Sequence, residues 1–239
     1  MPRTSGPETR EKLIRAAEEI FAAQGVDGAQ TRDIVALAGQ SNPSAVQYHF
    51  GSRAGLLEAV MAGRLARTEA ALAPLLAAAE TAGPTLGDLL GVLVTAEATE
   101  LRTDRGRRCL RISAQLSHES GVRARVPHPT LAGTAYWRLI GRVEEALAAA
   151  GLPEALRLER LDLALTLIGA AMADRATHYL KGAAPLTGEE LFLADLAGTT
   201  EAFLRAAAPA TASGEFPLSE SAPASAPSQG LSGGSARIR

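Results

Sequence analysis

Apolar residues recur at helical spacing along most of the chain. Two clear examples flank a less regular stretch near the N-terminus. The first helix has its apolar positions at Leu13, Ile14, Ala17, Ile20 and Phe21, and Gly25 follows as a C-terminal stop. A later helix, which Ser52 is predicted to cap, has its apolar positions at Leu56, Leu57, Val60, Met61 and Leu65.

The stretch between these helices predicts two short helices joined by a turn. Thr31 is expected to cap the first short helix and Gly39 to end it. Asn42-Pro43 is expected to begin the second, which ends in the aromatic sequence Tyr48-His49-Phe50 before Gly51 breaks the pattern. Two short helices packed on a preceding helix are typical of a helix-turn-helix.

Beyond Pro84 the pattern predicts long helices separated by glycine and proline, over roughly 85–103, 107–120, 130–150, 154–182 and 188–208. Period-two runs of β-branched residues are absent, so we predict an all-α fold. The composition then changes, and residues 209–239 are rich in Pro, Ser, Gly and Ala. We predict an N-terminal three-helix domain over 1–65, a helical bundle over 66–208 and a disordered tail over 209–239.

Composition places limits on the class of protein. Hydrophobic residues make up 46% of the chain and charged residues 21%, which is ordinary for a globular protein, and the net charge of −2 means that any basic surface must be local. The sequence predicts no membrane-spanning helix and no secretory signal. Cys109 is the single cysteine, so an intramolecular disulfide is excluded, and we expect a cytoplasmic protein.

The predicted helix-turn-helix divides into a buried and an outer face. Its apolar residues, together with Phe50, are expected to face the core. The outer face is left with hydrogen-bonding side chains of the kind that contact base edges in a major groove, namely Ser41, Asn42, Ser44 and Gln47. An alternative is that the segment is an ordinary helix pair and that Asn42-Pro43 is merely a turn.

Four further residues lie where phosphate groups would pass. Tyr48 and His49 are at the end of the second short helix, and their O–H and N–H groups can donate to phosphate oxygens. Arg53 lies in the first turn of the following helix, and Thr31 at the start of an earlier one, where the helix N-terminus favours an anion. The alternative is that Tyr48 and His49 are residues at the edge of the core.

Residues 9–60 resemble the N-terminal domain of the TetR/AcrR family of transcriptional regulators. The resemblance rests on "AAEEIFAAQG", "TRDIVALAG" and "YHFGSRAGLL" in this order and spacing. It implies a bacterial homodimeric repressor that binds a palindromic operator and is released by a small molecule. It also implies phosphate contacts for Thr31, Tyr48, His49 and Arg53, and base contacts for residues 41–47.

One departure from the family concerns the turn. The segment "AGQSNPSAVQYHF" is about one residue longer than is usual in the family. An extra residue lengthens the turn or rotates the start of the second short helix by about 100°. Which side chain meets which base is therefore left open.

The bundle is expected to bind the small molecule and to form the dimer. We nominate mostly apolar residues for the cavity wall, which suit a hydrophobic or aromatic ligand: Leu116, Tyr136, Trp137, Ile140, Leu167 and Met172. Apolar stripes on the last two helices are expected to pair with a second copy, and they comprise Leu161, Leu165, Ile168 and Met172, with Leu196 and Phe203 on the other helix.

Other candidate sites carry weaker signals. Arginines surround Cys109, so a redox-sensing thiol or a site for an anionic ligand stands beside the alternatives of a buried hydrophobe and a solvated basic face. The histidines His118, His128 and His178 have no metal-ligand spacing, and we expect no metal, no cofactor and no enzyme motif. The rival functions are a ligand-binding module without DNA affinity, an activator, a redox-sensing regulator and a small helical enzyme using Cys109.

Overall fold

The computed structural model describes residues 6–116 and 121–208, and these ranges contain helices and no strand. The all-α prediction is confirmed. The helices are α1 (Gly6–Gln24), α2 (Thr31–Leu37), α3 (Ala45–Phe50), α4 (Arg53–Ala82), α5 (Leu86–Ala98), α6 (Asp104–Gln115), α7 (Ala135–Ala149), α8 (Glu154–Leu180) and α9 (Glu189–Arg205), with a 3₁₀ helix at Thr99–Arg102 between α5 and α6. The predicted tail, residues 209–239, lies outside the described residues.

The ends of the short helices follow glycine and cap chemistry, with one exception. Gly39 and Gly51 adopt φ of +67° and +72°, which favours glycine, and Ser52 Oγ accepts a hydrogen bond of 2.9 Å from the Gly55 amide. Thr31, by contrast, is already helical. Gln30 has the extended backbone of the N-cap, and its carbonyl accepts from the Asp33 amide, so the prediction that Thr31 caps α2 is wrong.

The bundle helices lie close to their predicted ranges, and α7 shows why one boundary moved. It begins at Ala135, five residues later than predicted, because Gly133 adopts a φ of +76° and Thr134 forms the cap. Thr134 Oγ1 accepts from the Trp137 amide at 3.1 Å. Residues 117–120, which the prediction placed in a helix, lie outside the described residues.

Two clusters of buried side chains organise the described residues. One is formed by α1, α2, α3 and the first turns of α4, and it is completed by Cys109 and Ile112 from α6. The other is formed by the later part of α4 and by α5 to α9. The predicted boundary between residues 65 and 66 falls within α4, which continues as one helix from Arg53 to Ala82 and contributes to both clusters.

The apolar stripe of α8 lies inside its own chain. Leu161, Leu165, Ile168 and Met172 are all buried in the bundle cluster, as is Leu196 of α9. The prediction that this stripe is the surface left for a second copy is therefore wrong, because α8 packs against α5, α6, α7 and α9 and uses these residues as core. The exposed leucines of these two helices are Leu163, Leu167 and Leu191.

Candidate nucleic-acid interface and cavity

The outer face of the helix-turn-helix is built on a small buried core. Ile34, Val35 and Val46 are buried against α1 and α4, which holds α2 and α3 in place. Four residues of the range 41–47, to which the resemblance assigns base contacts, are exposed: Ser41, Asn42, Ser44 and Gln47. Gln47 lies on α3, whereas the other three precede the helix. Ala45 and Val46 of the same range are buried in the core, so they do not face a base.

The side chain of Asn42 stabilises the turn before α3. Asn42 Oδ1 accepts from the Ser44 amide at 2.9 Å, and the Ala45 amide donates to the Asn42 carbonyl at 3.1 Å. The side-chain oxygen of Asn42 therefore accepts a hydrogen bond within the turn, and its NH₂ group is left to donate to other partners. Ser41 and Asn42 belong to the turn and not to the helix, so any base contact they make comes from a loop.

The aromatic sequence at the end of α3 separates into different environments. Tyr48 is 83% exposed and meets the half-buried His49 edge to face, with ring centroids 4.9 Å apart. Phe50 packs against the N-terminal core, and the Arg10 guanidinium lies 5.0 Å from its ring centroid. The Tyr48 side chain is therefore open to solvent at the end of α3, and its contact with a phosphate stays a prediction.

Arg53 is held more tightly than a surface arginine. Its Nε donates to the Ala29 carbonyl at 3.1 Å, and its guanidinium lies 5.3 Å from the Phe21 ring centroid. Within the described part of the chain, its buried Nη2 has no hydrogen-bond partner. Arg53 therefore ties the start of α4 to the loop that precedes Thr31, so two of the predicted phosphate contacts share one support.

The arginines of α6 pair with carboxylates. Arg105 reaches Glu18 of α1 at 2.8 Å, and burial raises the pKa of that carboxyl while Arg105 opposes the rise. Arg107 bonds Asp104 at 2.7 Å and lies over the Tyr179 ring. Arg105 joins α6 to α1 and Arg107 joins α6 to α8, so both guanidinium groups have partners within the chain.

Cys109 is fully buried in the N-terminal cluster. Burial raises the pKa of its thiol to about 11, with Glu18 adding to the rise and Arg67 opposing it. The thiol is therefore protonated at neutral pH. This environment favours the interpretation of Cys109 as a small buried hydrophobe over that of a reactive thiol.

The histidines have local partners. His128 Nδ1 lies 2.9 Å from Thr130 Oγ1, and His178 Nδ1 lies 3.0 Å from the Asp174 carbonyl oxygen. His118 lies outside the described residues. Across residues 6–116 and 121–208, no group of three or more His, Cys, Asp or Glu side chains is arranged to hold a metal ion.

A cavity of about 500 Å³ lies where α4, α5, α6, α7 and α8 meet. Two of the residues nominated from the sequence, Leu116 and Tyr136, line it. Its other walls are mostly apolar and include Leu57, Met61, Leu65, Leu93, Leu165 and Ile168.

The remaining four nominated residues lie elsewhere. Ile140 and Met172 are buried in the bundle cluster, Trp137 packs against that cluster, and Leu167 is exposed on α8. Their role in ligand binding stays a prediction.

One wall of the cavity carries a charged pair that the sequence pattern did not predict. Arg64 of α4 donates through Nη2 to Glu97 of α5, and both side chains are buried. Burial raises the pKa of the Glu97 carboxyl, and Arg64 offsets part of that rise. The available signal was a charge inside an apolar helical pattern, but its partner is 33 residues away and depends on how α4 packs on α5.

Comparison with known proteins relates the N-terminal part of the chain to a known protein family. Residues 13–60 match the family model described as "Bacterial regulatory proteins, tetR family". These residues run from α1 through the helix-turn-helix into α4 and include every residue predicted to contact DNA. The N-terminal part of the chain therefore carries a domain of the TetR type.

Two curated relatives match the chain over a segment of similar length. The HTH-type transcriptional regulator SrpR of Pseudomonas putida is 44% identical over 57 residues, which are 24% of this chain and 26% of SrpR. The uncharacterized HTH-type transcriptional regulator TtgW, also of Pseudomonas putida, is 44% identical over 57 residues, which are 42% of TtgW. The matched segment thus spans less than half of either relative.

Among solved structures, a bacterial regulatory protein of the TetR family from Rhodococcus RHA1 is 22% identical, with a TM-score of 0.43. The match covers 84% of this chain and 97% of that one. The predicted resemblance to the TetR family is confirmed by the family model and the curated relatives. In the part of the chain that the structure describes, no helix has the length and apolar character needed to cross a membrane.

Proposed function

We propose that the chain is a one-component transcriptional repressor that binds a palindromic DNA operator and leaves it when a small molecule occupies the bundle cavity. The observation that carries the proposal is the helix-turn-helix of residues 13–60, whose buried core leaves Gln47 and Tyr48 exposed on α3. Gln47 is placed for base contacts, and Tyr48, with Thr31, His49 and Arg53, for phosphates. We propose no catalytic step.

Helix α4 supports the coupling between DNA and ligand. Its first turn follows α3 directly, with Arg53 tied to the Ala29 carbonyl. Its next turns supply Leu57, Met61 and Arg64 to the cavity wall. A ligand that shifts α4 would therefore move the DNA-contacting end of the same helix, which is the kind of element that links two binding sites.

A homodimer fits this function because a palindromic operator has two equivalent half-sites. Two recognition helices about 34 Å apart meet successive turns of the major groove. In place of the buried stripe, exposed leucines on α8 and α9 are the surface that we propose for the second copy, namely Leu163, Leu167 and Leu191. The protein would act in the cytoplasm, where the DNA is.

Salt-dependent DNA binding tests the proposal. The probe is a labelled fragment recovered from random genomic fragments, with DNA upstream of the protein's own gene as the first candidate. Tyr48→Phe and Arg53→Ala are expected to weaken binding to all sequences alike, and Arg53→Ala to lower the salt slope by about one. Arg142→Ala, an exposed arginine of α7, is the matched control and is expected to change nothing.

The outcomes separate the candidate functions. If neither Tyr48→Phe nor Arg53→Ala changes affinity or salt slope, the phosphate roles are wrong. If the unmodified protein selects no DNA but binds small molecules in its cavity, the rival function of a ligand-binding module takes its place. If ligand strengthens DNA binding, the protein is not a repressor of the proposed kind.

A further inference from the structure

Arg64, a residue of the cavity wall, has a buried donor atom without a partner among the described residues. Arg64 is only 8% exposed and lines the cavity, and its Nη2 donates to Glu97. Throughout the described residues, Arg64 Nε has no hydrogen-bond partner. A buried donor left unpaired is costly, so this N–H is a place where a ligand acceptor gains more than it would at the surface.

Tyr136 adds a second polar group to the same wall. It lines the cavity and lies close enough to Arg64 and Glu97 for both charges to act on its hydroxyl. Burial raises the pKa of this hydroxyl, so it keeps its proton and can donate. Apolar side chains such as Leu93, Leu116 and Ile168 form much of the remaining lining. The other polar residues of the lining are Asp27, Glu58, Ser113, Gln115, His128 and Thr130.

The charges of the wall argue for an uncharged ligand. The buried pair of Arg64 and Glu97 compensates itself. The other carboxylates of the lining, Asp27 and Glu58, are exposed, so water and salt screen them. A charged ligand would lose its hydration without finding an unpaired buried counter-charge.

We propose that the cavity takes an uncharged, largely apolar molecule with a single accepting oxygen, and that Arg64 Nε donates to this oxygen with the Tyr136 hydroxyl beside it. This inference rests on the proposed function for the role of the cavity as an effector site. It adds the chemical class of the ligand and the residue that selects it.

Four naphthalene probes of nearly equal size test the class. 2-Acetylnaphthalene carries an accepting carbonyl oxygen, and 2-isopropenylnaphthalene replaces that oxygen by a CH₂ group. 2-Naphthoate is an anion and a trimethyl(2-naphthylmethyl)ammonium salt is a cation. Binding is measured by calorimetry on the full chain without DNA. We expect the ketone to bind at least about 10-fold more tightly than the alkene and than either ion, a usual effect for an unpaired buried polar group.

Variants of the ion pair test the residue. Arg64→Lys keeps a positive charge opposite Glu97 but removes the Nε donor, and the double variant Arg64→Met with Glu97→Leu removes both charges together. Both are expected to bind ketone and alkene about equally, while alkene affinity stays near that of the unmodified protein and reports an intact cavity. Arg67→Lys is the matched control. Arg67 lies on α4, as Arg64 does, and pairs with Glu100 of the 3₁₀ helix, but it does not line the cavity.

Several outcomes would overturn the inference. These are equal affinities of the unmodified protein for ketone and alkene, a preference for naphthoate or for the ammonium salt, a preference that survives both Arg64 variants, or no binding of any probe. The proposed function fails separately. If the ketone binds as expected through Arg64 and a selected operator is nevertheless not released, the ligand class stands and the repressor mechanism is wrong.

Discussion

At the residue scale, the thiol pKa of Cys109 shows how the fold reverses an expectation that rests on sequence neighbours. The sequence surrounds this cysteine with arginines, which suggested a lowered thiol pKa. In the fold, Arg105 turns to Glu18, and burial outweighs the charge of Arg67. The identity of a residue's sequence neighbours is known from the chain, but their partners depend on packing.

The buried thiol is expected to react very slowly. Since burial raises the pKa of Cys109 to about 11 from an ordinary 9.0, its thiolate fraction at pH 8 falls about 100-fold, and lack of access slows the reaction further. Alkylation by iodoacetamide, followed by mass spectrometry, should be at least about 100-fold slower in the native protein than in urea-unfolded protein. Rapid native modification would instead favour the redox-sensing alternative.

A second prediction at this scale concerns base contacts. Gln47 is exposed on α3, whereas Ser41 and Asn42 lie in the preceding turn. Gln47→Ala should relax the choice at one base step by about 1–3 kcal/mol while affinity for non-specific DNA stays unchanged. Selection of bound sequences with each protein measures this, and Ser41→Ala provides the loop comparison. An unaltered preferred sequence would remove Gln47 from the base-reading surface.

At the element scale, most helices could be predicted because their signals are local. Apolar spacing and terminal glycines lie within a few residues of each other, so α8 and α9 lie close to their predicted ranges of 154–182 and 188–208. The cap of α2 could not be predicted in this way. Thr31 has the side chain of a cap, but the extended backbone is at Gln30, which is decided by how the preceding loop packs.

The contact between α6 and the 3₁₀ helix depends on a glycine. A Cβ on Gly106 would lie 2.2 Å from the Glu100 carbonyl oxygen, which is backbone and cannot move aside cheaply. Gly106→Ala should therefore lower the free energy of unfolding by about 1–3 kcal/mol, as overpacking does. Gly141→Ala on α7 is the control, since a Cβ there meets nothing within 4 Å and should raise the free energy of unfolding by up to about 1 kcal/mol.

Urea unfolding followed by circular dichroism measures both glycine variants. If Gly106→Ala is as stable as the unmodified protein, the close approach of α6 to the 3₁₀ helix is wrong.

The cap of α4 separates stability from function. Ser52→Ala removes the acceptor of the Gly55 amide, and Thr103→Ala removes the acceptor of the Gly106 amide at the start of α6. Each should lower the free energy of unfolding by about 1 kcal/mol. Only Ser52→Ala is expected to weaken operator binding as well, because α4 begins directly after α3. Equal effects of both variants on operator affinity would show that the first turn of α4 has no special place in DNA binding.

At the scale of the whole molecule, the helices could be predicted from the sequence, but which helices pack against each other could not. The cavity wall brings together α4, α5, α7 and α8, and the pairs of Arg64 with Glu97 and of Arg67 with Glu100 each join residues 33 positions apart. The same difficulty affected α8, whose regular leucine stripe is core within its own chain. Periodicity shows that a helix has an apolar face, but it does not show whether that face packs in the core of its own chain or against a second copy.

The surface proposed for the homodimer is therefore the exposed set of leucines. Leu163 and Leu167 lie one turn apart on α8, with side chains 50% and 39% exposed. Changing both to glutamate would place two charges in a dimer interface and disturb little of the protomer's core. We expect the unmodified protein to be a dimer at micromolar concentration in light scattering, and the double variant to be a monomer with near-normal helix content. Leu186→Glu, in the loop before α9, is the matched control and should remain dimeric.

The monomeric variant should also lose most of its operator affinity, because a single protomer binds only one of the two half-sites. A monomeric unmodified protein, or a double variant that stays dimeric, would rule out this surface.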